Sequence, residues 1–353
     1  MTKEQLLDKC RGLLIGGAVG DALGYPVEFV YSFEEIRRKY GDDGITEYDM
    51  SYLWLEESFH QNKALFSDDT QMTLYTAEGL LEAERSGKQI VPTVVYAYLA
   101  WFSGQVGKNV KISYDSKLSK IDELNQRRAP GNTCLSALLS ISEGKEPLNE
   151  SKGCGGIMRV APVGIYGATH GWKLEETARL AGEVAKLTHL HPLSTYSSAA
   201  LAVIVQHCLL EEDLVDTARF RSIVEKSLEV ISEVYGAEAP AMDDFRKLIS
   251  KTLCLEDNLL RDWEIIENGL GGGWVAEETL AIAVFSVIRH IGDFNACMIC
   301  AVNHGGDSDS TGAVAGNIIG AILGLNAIPE KFTKTIQLKE LILSTADELS
   351  KLS

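Results

Sequence analysis

The chain has 353 residues, of which 45% are hydrophobic, and a formal net charge of −17 with a pI near 4.9. This length is ample for a large buried core, and the acidic charge disfavours nucleic acid or an anionic membrane as a non-specific partner. Seven scattered cysteines, without a signal-peptide pattern or a long apolar span, predict a reduced cytoplasmic protein. Cys297 and Cys300 form a C-x-x-C pair in an apolar helical run, and we interpret both as core packing.

Apolar residues recur at helical spacing along nearly the whole chain. The predicted helices span residues 4–14, 68–81, 91–101, 174–187, 195–210, 220–234, 277–290 and 313–325. Alternation typical of a strand is confined to residues 45–48. No Pro-, Ser- or charge-rich linker divides the chain. We therefore predict one compact all-α domain over residues 1–353, with surface insertions at about 41–62 and 108–125.

Two series of glycines with four-residue spacing lie near the two ends of the chain. They are Gly16, Gly20 and Gly24, and Gly312, Gly316, Gly320 and Gly324. Glycine inside a helix costs about 0.5–1 kcal/mol relative to alanine, so the repeats indicate a compensating contact. We predict that the two helices approach closely, at a crossing angle near about −50°. The contact would bring residues 20–28 beside the acids near position 307.

Two acidic clusters stand where predicted helices begin, one at residues 67–70 and one at 307–311. Asp68 and Asp69 follow Ser67 in the first, and Asp307 and Asp309 alternate with hydroxyl residues in the second. A single Asp at such a place is an ordinary helix cap. Four of them repel one another unless solvent or a cation offsets their charge. Because the candidate ligands are all oxygens, the pattern favours Mg²⁺, Mn²⁺ or Ca²⁺ over zinc.

Residues 307–311 also fit two other loops by their letters alone. The first is the D-x-D-x-T loop of haloacid dehalogenase-type phosphatases, but residues 302–306 are not the β-branched strand that it requires. The second is an EF-hand, whose twelfth position falls here on Ile318 instead of a bidentate Glu. Both are disfavoured, and the phosphatase stays open as a remote alternative.

Four motifs together resemble those of the ADP-ribosylglycohydrolase family. They are G-D-A-L-G at 20–24 followed by Pro26 and Glu28, S-D-D-T at 67–70, G-C-G-G-I-M-R at 153–159, and G-G-D-S-D-S-T-G at 305–312. The resemblance covers nearly the whole chain. It implies an all-α fold, an orthogonal helical bundle with a central di-metal cleft, and two Mg²⁺ (or Mn²⁺) ions.

The resemblance also assigns roles to particular residues. The implied metal ligands are Ser67, Asp68, Asp69, Asp307, Asp309 and Ser310. The implied catalytic residues are Asp68 or Asp69 as activators of water, Glu28 as an aid to proton transfer, and Asp309. The implied substrate-binding residues are Gly131, Asn132, Gly153, Cys154, Gly155, Gly156, Met158, Arg159, His189 and Trp274.

Several of these roles have a structural alternative. The glycine loop at 153–156 either offers backbone N–H groups to a diphosphate or is a turn. Arg159 either binds phosphate or pairs with an acid inside the protein. His189 either contacts the ligand or belongs to the core, and Trp274 either stacks on the adenosine or ribose or packs as a hydrophobic staple.

The resemblance implies a hydrolase that removes ADP-ribose from a protein side chain, with arginine as the expected linkage. An ADP-ribosylated protein is then the expected partner, together with an ADP-ribosyltransferase whose action is reversed; neither nucleic acid nor a membrane is expected. Two alternatives stay open. One is hydrolysis of another ADP-ribose linkage, to serine or in a poly- or small-molecule conjugate, and the other is a non-catalytic ADP-ribose-binding relative.

Overall fold

The computed structural model describes residues 1–51, 62–107, 110, 114–212, 214–256 and 258–352. The predicted insertions at 41–62 and 108–125 lie partly outside these residues. Sixteen α-helices occur in the described part of the chain. They are α1 (Lys3–Gly24), α2 (Phe33–Tyr40), α3 (Asp68–Ser86), α4 (Ile90–Val106), α5 (Asn132–Ser142), α6 (Ala161–Thr169), α7 (Leu174–Lys186), α8 (Pro192–Leu210), α9 (Thr217–Tyr235), α10 (Met242–Leu253), α11 (Asp262–Gly269), α12 (Ala276–Arg289), α13 (Phe294–Val302), α14 (Ser308–Leu323), α15 (Glu330–Thr333) and α16 (Lys339–Ser350).

The predicted all-α fold is confirmed, and the strand predicted at residues 45–48 is wrong. The described residues contain no β-strand, only two isolated bridges. Ile45 makes strand-like hydrogen bonds, but to a side chain: its N–H donates to Asn303 Oδ1 at 2.8 Å, and its carbonyl accepts from Asn303 Nδ2 at 2.9 Å. An asparagine amide therefore takes the place of a neighbouring strand.

Four predicted helices extend by five residues or more beyond their predicted ends, and the extensions of α1 and α14 build the site. Helix α1 continues past residue 14 to Gly24, and α14 begins at Ser308 instead of residue 313. Both extensions contain glycine and an Asp, and these residue types lower helix propensity. Tertiary packing of the two segments outweighs that local preference.

Helices α1 and α14 pack against each other along their glycines, as predicted. A Cβ atom added to Gly12 would lie 2.5 Å from the carbonyl oxygen of Gly320, and the next two pairs are closer still. Any side chain there would force the backbones apart. The antiparallel pairs are Gly12–Gly320, Gly16–Gly316 and Gly20–Gly312.

The antiparallel contact places the end of α1 against the start of α14. A Cβ on Gly24 would collide with the carbonyl group of Ser308. The acids of residues 20–28 thereby come beside those of residues 307–309. Elsewhere in the described chain, α8 alone has the length and hydropathy of a membrane span, and 89% of its most apolar window is buried inside the protein, as in the central helix of a globular core.

Candidate active site

The N-termini of α3 and α14 bring the two acidic clusters together. Ser67 caps α3, and its Oγ accepts the N–H of Asp69 at 3.2 Å. Asp307 caps α14, and Asp309 Oδ1 accepts the N–H of Ser310 at 2.9 Å. The Ser67 hydroxyl contacts the Asp309 carboxylate across the junction. The positive ends of both helix dipoles therefore stabilise the negative charge of these carboxylates.

Asp21 organises this junction, although the sequence reasoning did not select it. Its Oδ1 accepts the N–H of Ser67 at 2.7 Å, and its Oδ2 accepts the N–H and hydroxyl of Thr70 at 2.9 and 2.6 Å. The residue is fully buried, and burial together with the nearby Asp309 charge raises its pKa. A charged residue between Gly20 and Gly24 was the available signal; its role depends on partners 46 and 49 positions later in the chain.

The clustered carboxylates are buried, and two of their oxygens receive no hydrogen bond from the described residues. Burial, reinforced by the neighbouring Asp309 charge, raises the pKa of Asp68, Asp69, Asp307 and Glu28. Glu28 Oε2 and Asp69 Oδ2 have no hydrogen-bond partner among the described residues. Buried acceptors that face other carboxylates are costly unless a cation is present, so this donor set fits hard divalent cations.

All six predicted metal ligands lie in this neighbourhood, with Glu28 beside them. Glu28, Asp307 and Asp309 each place a carboxylate oxygen within 4.8 Å of the others. Asp68 Oδ2 also accepts the N–H of Gly131 at 3.3 Å, which attaches the start of α5 to the cluster. The Ser310 side chain contacts Asp307.

A cleft of about 350 Å³ opens beside the carboxylates. Glu28, Asp68, Asp69, Asp307 and Ser310 line one part of it. Eight of the predicted substrate-binding residues line the remainder: Gly131, Asn132, Gly153, Cys154, Gly155, Met158, His189 and Trp274. Residues that are more than 140 positions apart in the sequence, such as Gly131 and Trp274, thus line the same cleft.

The loop at 153–156 already uses three of its N–H groups within the protein. Gly153 donates to Ser151 Oγ, Cys154 to the carbonyl of Trp274, and Gly156 to the carbonyl of Gly153. Gly156 is also buried, and a Cβ there would collide with Ser194. The predicted amide cradle for a diphosphate needs correction, because these three groups are already donated and Gly156 lies behind the cleft wall.

Arg159 also lies behind the wall, which corrects the predicted phosphate contact. Its side chain is fully buried, with Nη2 donating to Thr188 Oγ1 and the guanidinium 4.5 Å from the centre of the Tyr98 ring. These partners, a hydroxyl and an aromatic ring, also differ from the internal acid that was the alternative prediction for Arg159. Arg159 thus fixes Thr188, whose hydroxyl lies 2.8 Å from His189 Nδ1.

His189 borders the cleft as a neutral imidazole. Burial, assisted by the positive charge of Arg159, lowers its pKa to about 3. With Nδ1 engaged by Thr188, Nε2 is the remaining ring nitrogen near the glycine loop: a Cβ on Gly153 would lie 3.3 Å from it. His189 can therefore exchange a hydrogen bond with a ligand but supplies no charge at neutral pH.

Two exposed aromatic rings stand at the edge of the cleft. Trp274 and Phe29 are 37% and 55% exposed and stack with ring centres 5.9 Å apart. The exposed stack favours the ligand-facing interpretation of Trp274 over a staple. Phe29 was not selected from the sequence, although its position next to Glu28 was a usable signal.

The glycine turn before Trp274 positions Asp307. The N–H of Asp307 donates to the carbonyl of Gly272 at 2.8 Å. Gly273 has a φ of +75°, and a Cβ there would lie 2.7 Å from Thr311. Only glycine combines this backbone conformation with so close an approach.

Comparison with known proteins agrees with this arrangement. A family model for ADP-ribosylglycohydrolase matches residues 2–353. The chain is 25% identical to ADP-ribosyl-(dinitrogen reductase) glycohydrolase of Rhodospirillum rubrum, over 96% of this chain and 94% of that protein. It is 23% identical to ADP-ribosylarginine hydrolase Tri1 of Serratia proteamaculans, over 98% of this chain and 80% of that protein.

A solved structure shares the fold. It is described as an ADP-ribosylglycohydrolase-related protein complex and superposes with a TM-score of 0.66 at 23% identity, covering 99% of both chains. Together with the match over residues 2–353, the acidic junction and its cleft lead to one conclusion: the chain belongs to the ADP-ribosylglycohydrolase family and is a hydrolase of glycosidic bonds.

Proposed function

We propose that this chain removes ADP-ribose from arginine side chains of a modified protein, using two Mg²⁺ or Mn²⁺ ions. The observation that carries the proposal is the buried oxygen cluster between α3 and α14, in which Asp69 Oδ2 and Glu28 Oε2 have no partner among the described residues. Ser67, Asp68, Asp69, Asp307, Asp309 and Ser310 would hold the ions. When bound, such ions stabilise negative charge on oxygen and orient hydroxyl groups.

The side chains around the cluster suit a glycosidic hydrolysis. Cleavage between the ribose anomeric carbon and a guanidinium nitrogen passes through an oxocarbenium-like state and needs a base, a positioned water and a proton for the leaving group. Asp68 and Asp69 line the cleft and can accept a proton from water. Glu28, with Oε2 unpartnered beside them, can hold or transfer the second proton.

The remaining walls suit the rest of the ligand. His189 offers a neutral ring nitrogen, and Trp274 offers an exposed face for stacking on the adenosine or ribose. Gly131 and Asn132, at the start of α5, border the same space. These positions favour an extended ligand that reaches from the carboxylates to the aromatic edge.

Arginine is the proposed linkage because a relative that aligns over most of this chain is named for ADP-ribosylarginine. A modified protein is the proposed substrate because a second relative is named for ADP-ribosylated dinitrogen reductase. We propose an ADP-ribosylated protein as the substrate and an ADP-ribosyltransferase as the enzyme whose action is reversed, in the cytoplasm. The net charge of −17 supports the absence of non-specific nucleic-acid or membrane binding.

The test is release of free ADP-ribose from an arginine-ADP-ribosylated protein with Mg²⁺, with Mn²⁺ and with EDTA. Asp309→Asn is the test variant, and Asp244→Asn, an exposed acid in the first turn of α10, is its matched control. We expect metal-dependent release in the wild type and the control and none in Asp309→Asn. Release from a serine-linked substrate alone would overturn the arginine assignment, and binding of ADP-ribose without any release would overturn the enzymatic proposal.

A further inference from the structure

A second group of metal-binding side chains lies away from the cleft. Asp262 begins α11, His290 caps the end of α12, and Cys300 belongs to α13. Each offers one ligand atom, and the three atoms lie within 4.8 Å of one another. None of the three was selected from the sequence as a metal ligand, because they are spread over 38 positions without a recognisable spacing.

We propose that Asp262, His290 and Cys300 form a zinc-binding site, independent of the oxygen cluster in the cleft. Zinc is bound in proteins by thiolate, imidazole and carboxylate together, and three such ligands leave a fourth position for water. Mg²⁺ and Ca²⁺ prefer oxygen ligands alone. The thiol therefore separates the chemistry of this site from that of the cleft.

Contacts within the group already resemble those of a site lacking its ion. His290 Nε2 lies 2.7 Å from Asp262 Oδ2, and the Cys300 thiol contacts the same carboxylate. Asp262 Oδ1 accepts from Arg289 Nε at 3.1 Å, which orients the carboxylate toward the other two ligands. Without an ion, His290 and Asp262 already satisfy each other by a hydrogen bond, and that bond does not require Cys300 beside it.

The group is open to solvent on one side. Asp262 and Cys300 line a pocket of about 370 Å³ together with Phe33, Trp263 and Asn303. The side chains of Asp262 and His290 are 27% and 25% exposed. A zinc ion can thus enter without unfolding the helices, and the pocket has room for a water ligand.

Zinc binding is a simple exchange at this site. The S–H bond of Cys300 breaks, its proton leaves to solvent, and a sulfur–zinc bond forms; nothing is oxidised or reduced. The proton on His290 Nε2 leaves to solvent or moves to Nδ1, which frees the Nε2 lone pair for the ion, and the carboxylate of Asp262 binds through an existing lone pair. Their mutual hydrogen bond is replaced by bonds to the ion.

The site is connected to the catalytic loop through α11. Glu267 on this helix accepts the N–H groups of Phe33 and Gly305 at 2.6 and 2.9 Å with one oxygen. Gly305 lies two residues before Asp307. Zinc that joins the start of α11 to α12 and α13 would therefore steady the loop that carries the cleft acids.

The test uses the full-length protein, stripped with a chelator and titrated with Zn²⁺ and then with Co²⁺ as a spectroscopic substitute. Besides the ions that the oxygen cluster of the cleft can take up, we expect one further ion per chain, which alone gives a thiolate-to-cobalt absorption band. The band should be lost in Cys300→Ala, and Zn²⁺ affinity should fall about tenfold or more in His290→Gln. Binding of Zn²⁺ should also raise Tm in the wild type.

Two other thiols supply matched controls. Cys297 is buried one turn earlier on α13, and Cys154 contacts Asp307 in the cleft. The band should persist in Cys297→Ala and Cys154→Ala, as judged on variants with native circular dichroism. Absence of the band in the wild type, or its survival in Cys300→Ala, overturns the proposal. If Cys300→Ala does not fold, undiminished Zn²⁺ affinity in His290→Gln, a change at a partly exposed side chain, overturns it instead.

Discussion

Two glutamates in this protein are buried to the same extent, yet their surroundings differ completely. Glu28 in the cleft and Glu78 on α3 are each 8% exposed. Glu78 accepts from the N–H groups of Lys117 and Leu118 and from the hydroxyls of Ser116 and Tyr114, at 2.7–3.1 Å. Glu28 Oε2 has no partner in the described chain.

The difference shows that partners, more than burial, distinguish a structural carboxylate from a functional one. Four donors satisfy Glu78, which thereby fastens residues 114–118 to α3. Glu28 instead faces Asp307 and Asp309, which repel it. A buried carboxylate with unmet acceptors and acidic neighbours is suited to a cation or a proton.

The largest expected effect is the loss of catalysis when Asp69 is changed, because its Oδ2, like Glu28 Oε2, has no partner in the described chain. In Asp69→Asn we expect kcat/KM for ADP-ribose release to fall by about a thousandfold, or about 4 kcal/mol, because a metal ligand and a candidate base are lost together. The metal-free variant should be at least as stable as the metal-free wild type, since one repelling charge has been removed. Activity assays with urea unfolding in EDTA measure both. A large loss of metal-free stability would show that Asp69 is structural.

Glu78→Ala should do the reverse. We expect the free energy of unfolding to fall by about 3 kcal/mol, because four buried donors lose their acceptor. Turnover per folded molecule should persist. Glu82→Ala, one turn along the same helix, is the control and should cost about 0.5 kcal/mol or less, the usual size of an effect away from a buried network. Equal losses in both variants would contradict the special role of the four donors.

His189 extends the comparison to pH. Its pKa is about 3 in the folded protein and near 6.5 ordinarily, chiefly because of burial. Because folding lowers this pKa, the neutral imidazole contributes to the free energy of unfolding above pH 6.5, and this contribution is lost as pH falls toward 3. Between pH 6.5 and 5 the loss is about 2 kcal/mol. Urea unfolding at both pH values should show a smaller loss in His189→Gln, and an unchanged loss would refute a buried neutral imidazole.

The smallest expected effect concerns the edge of the cleft. Removing the ring that stacks on Trp274, in Phe29→Ala, should raise KM by about two- to tenfold, the worth of one aromatic contact. The free energy of unfolding should hardly change because Phe29 is 55% exposed. Val215→Ala, an exposed apolar residue on another surface, is the control. An unchanged KM would show that the Phe29–Trp274 stack does not contribute to substrate binding.

Much of the site could be predicted because its parts are local. Ser67 and Asp307 cap helices, and caps depend on the next few residues alone. The glycine repeats likewise predicted the contact of α1 with α14, because a stripe of glycines has few other uses. The sequence therefore predicts both acidic clusters at helix starts.

Other residues were misjudged because their roles depend on distant partners. Arg159 follows a glycine loop that borders the cleft, yet its guanidinium turns inward to Thr188 and Tyr98. Asp21 holds the start of α3, which lies 46 residues later in the chain. Neither contact leaves a periodic trace, since side-chain direction within a core is set by the packing of whole helices.

The helical class, the glycine-lined contact and the position of both acidic clusters at helix starts can be read from the amino-acid sequence alone. These follow from side-chain spacing and capping, which act over three or four residues. The tertiary structure alone decided that Asp21 supports the cluster, that Arg159 is internal, and that Asp262, His290 and Cys300 meet. Such meetings depend on how helices far apart in the chain share one core, and no local pattern records that arrangement.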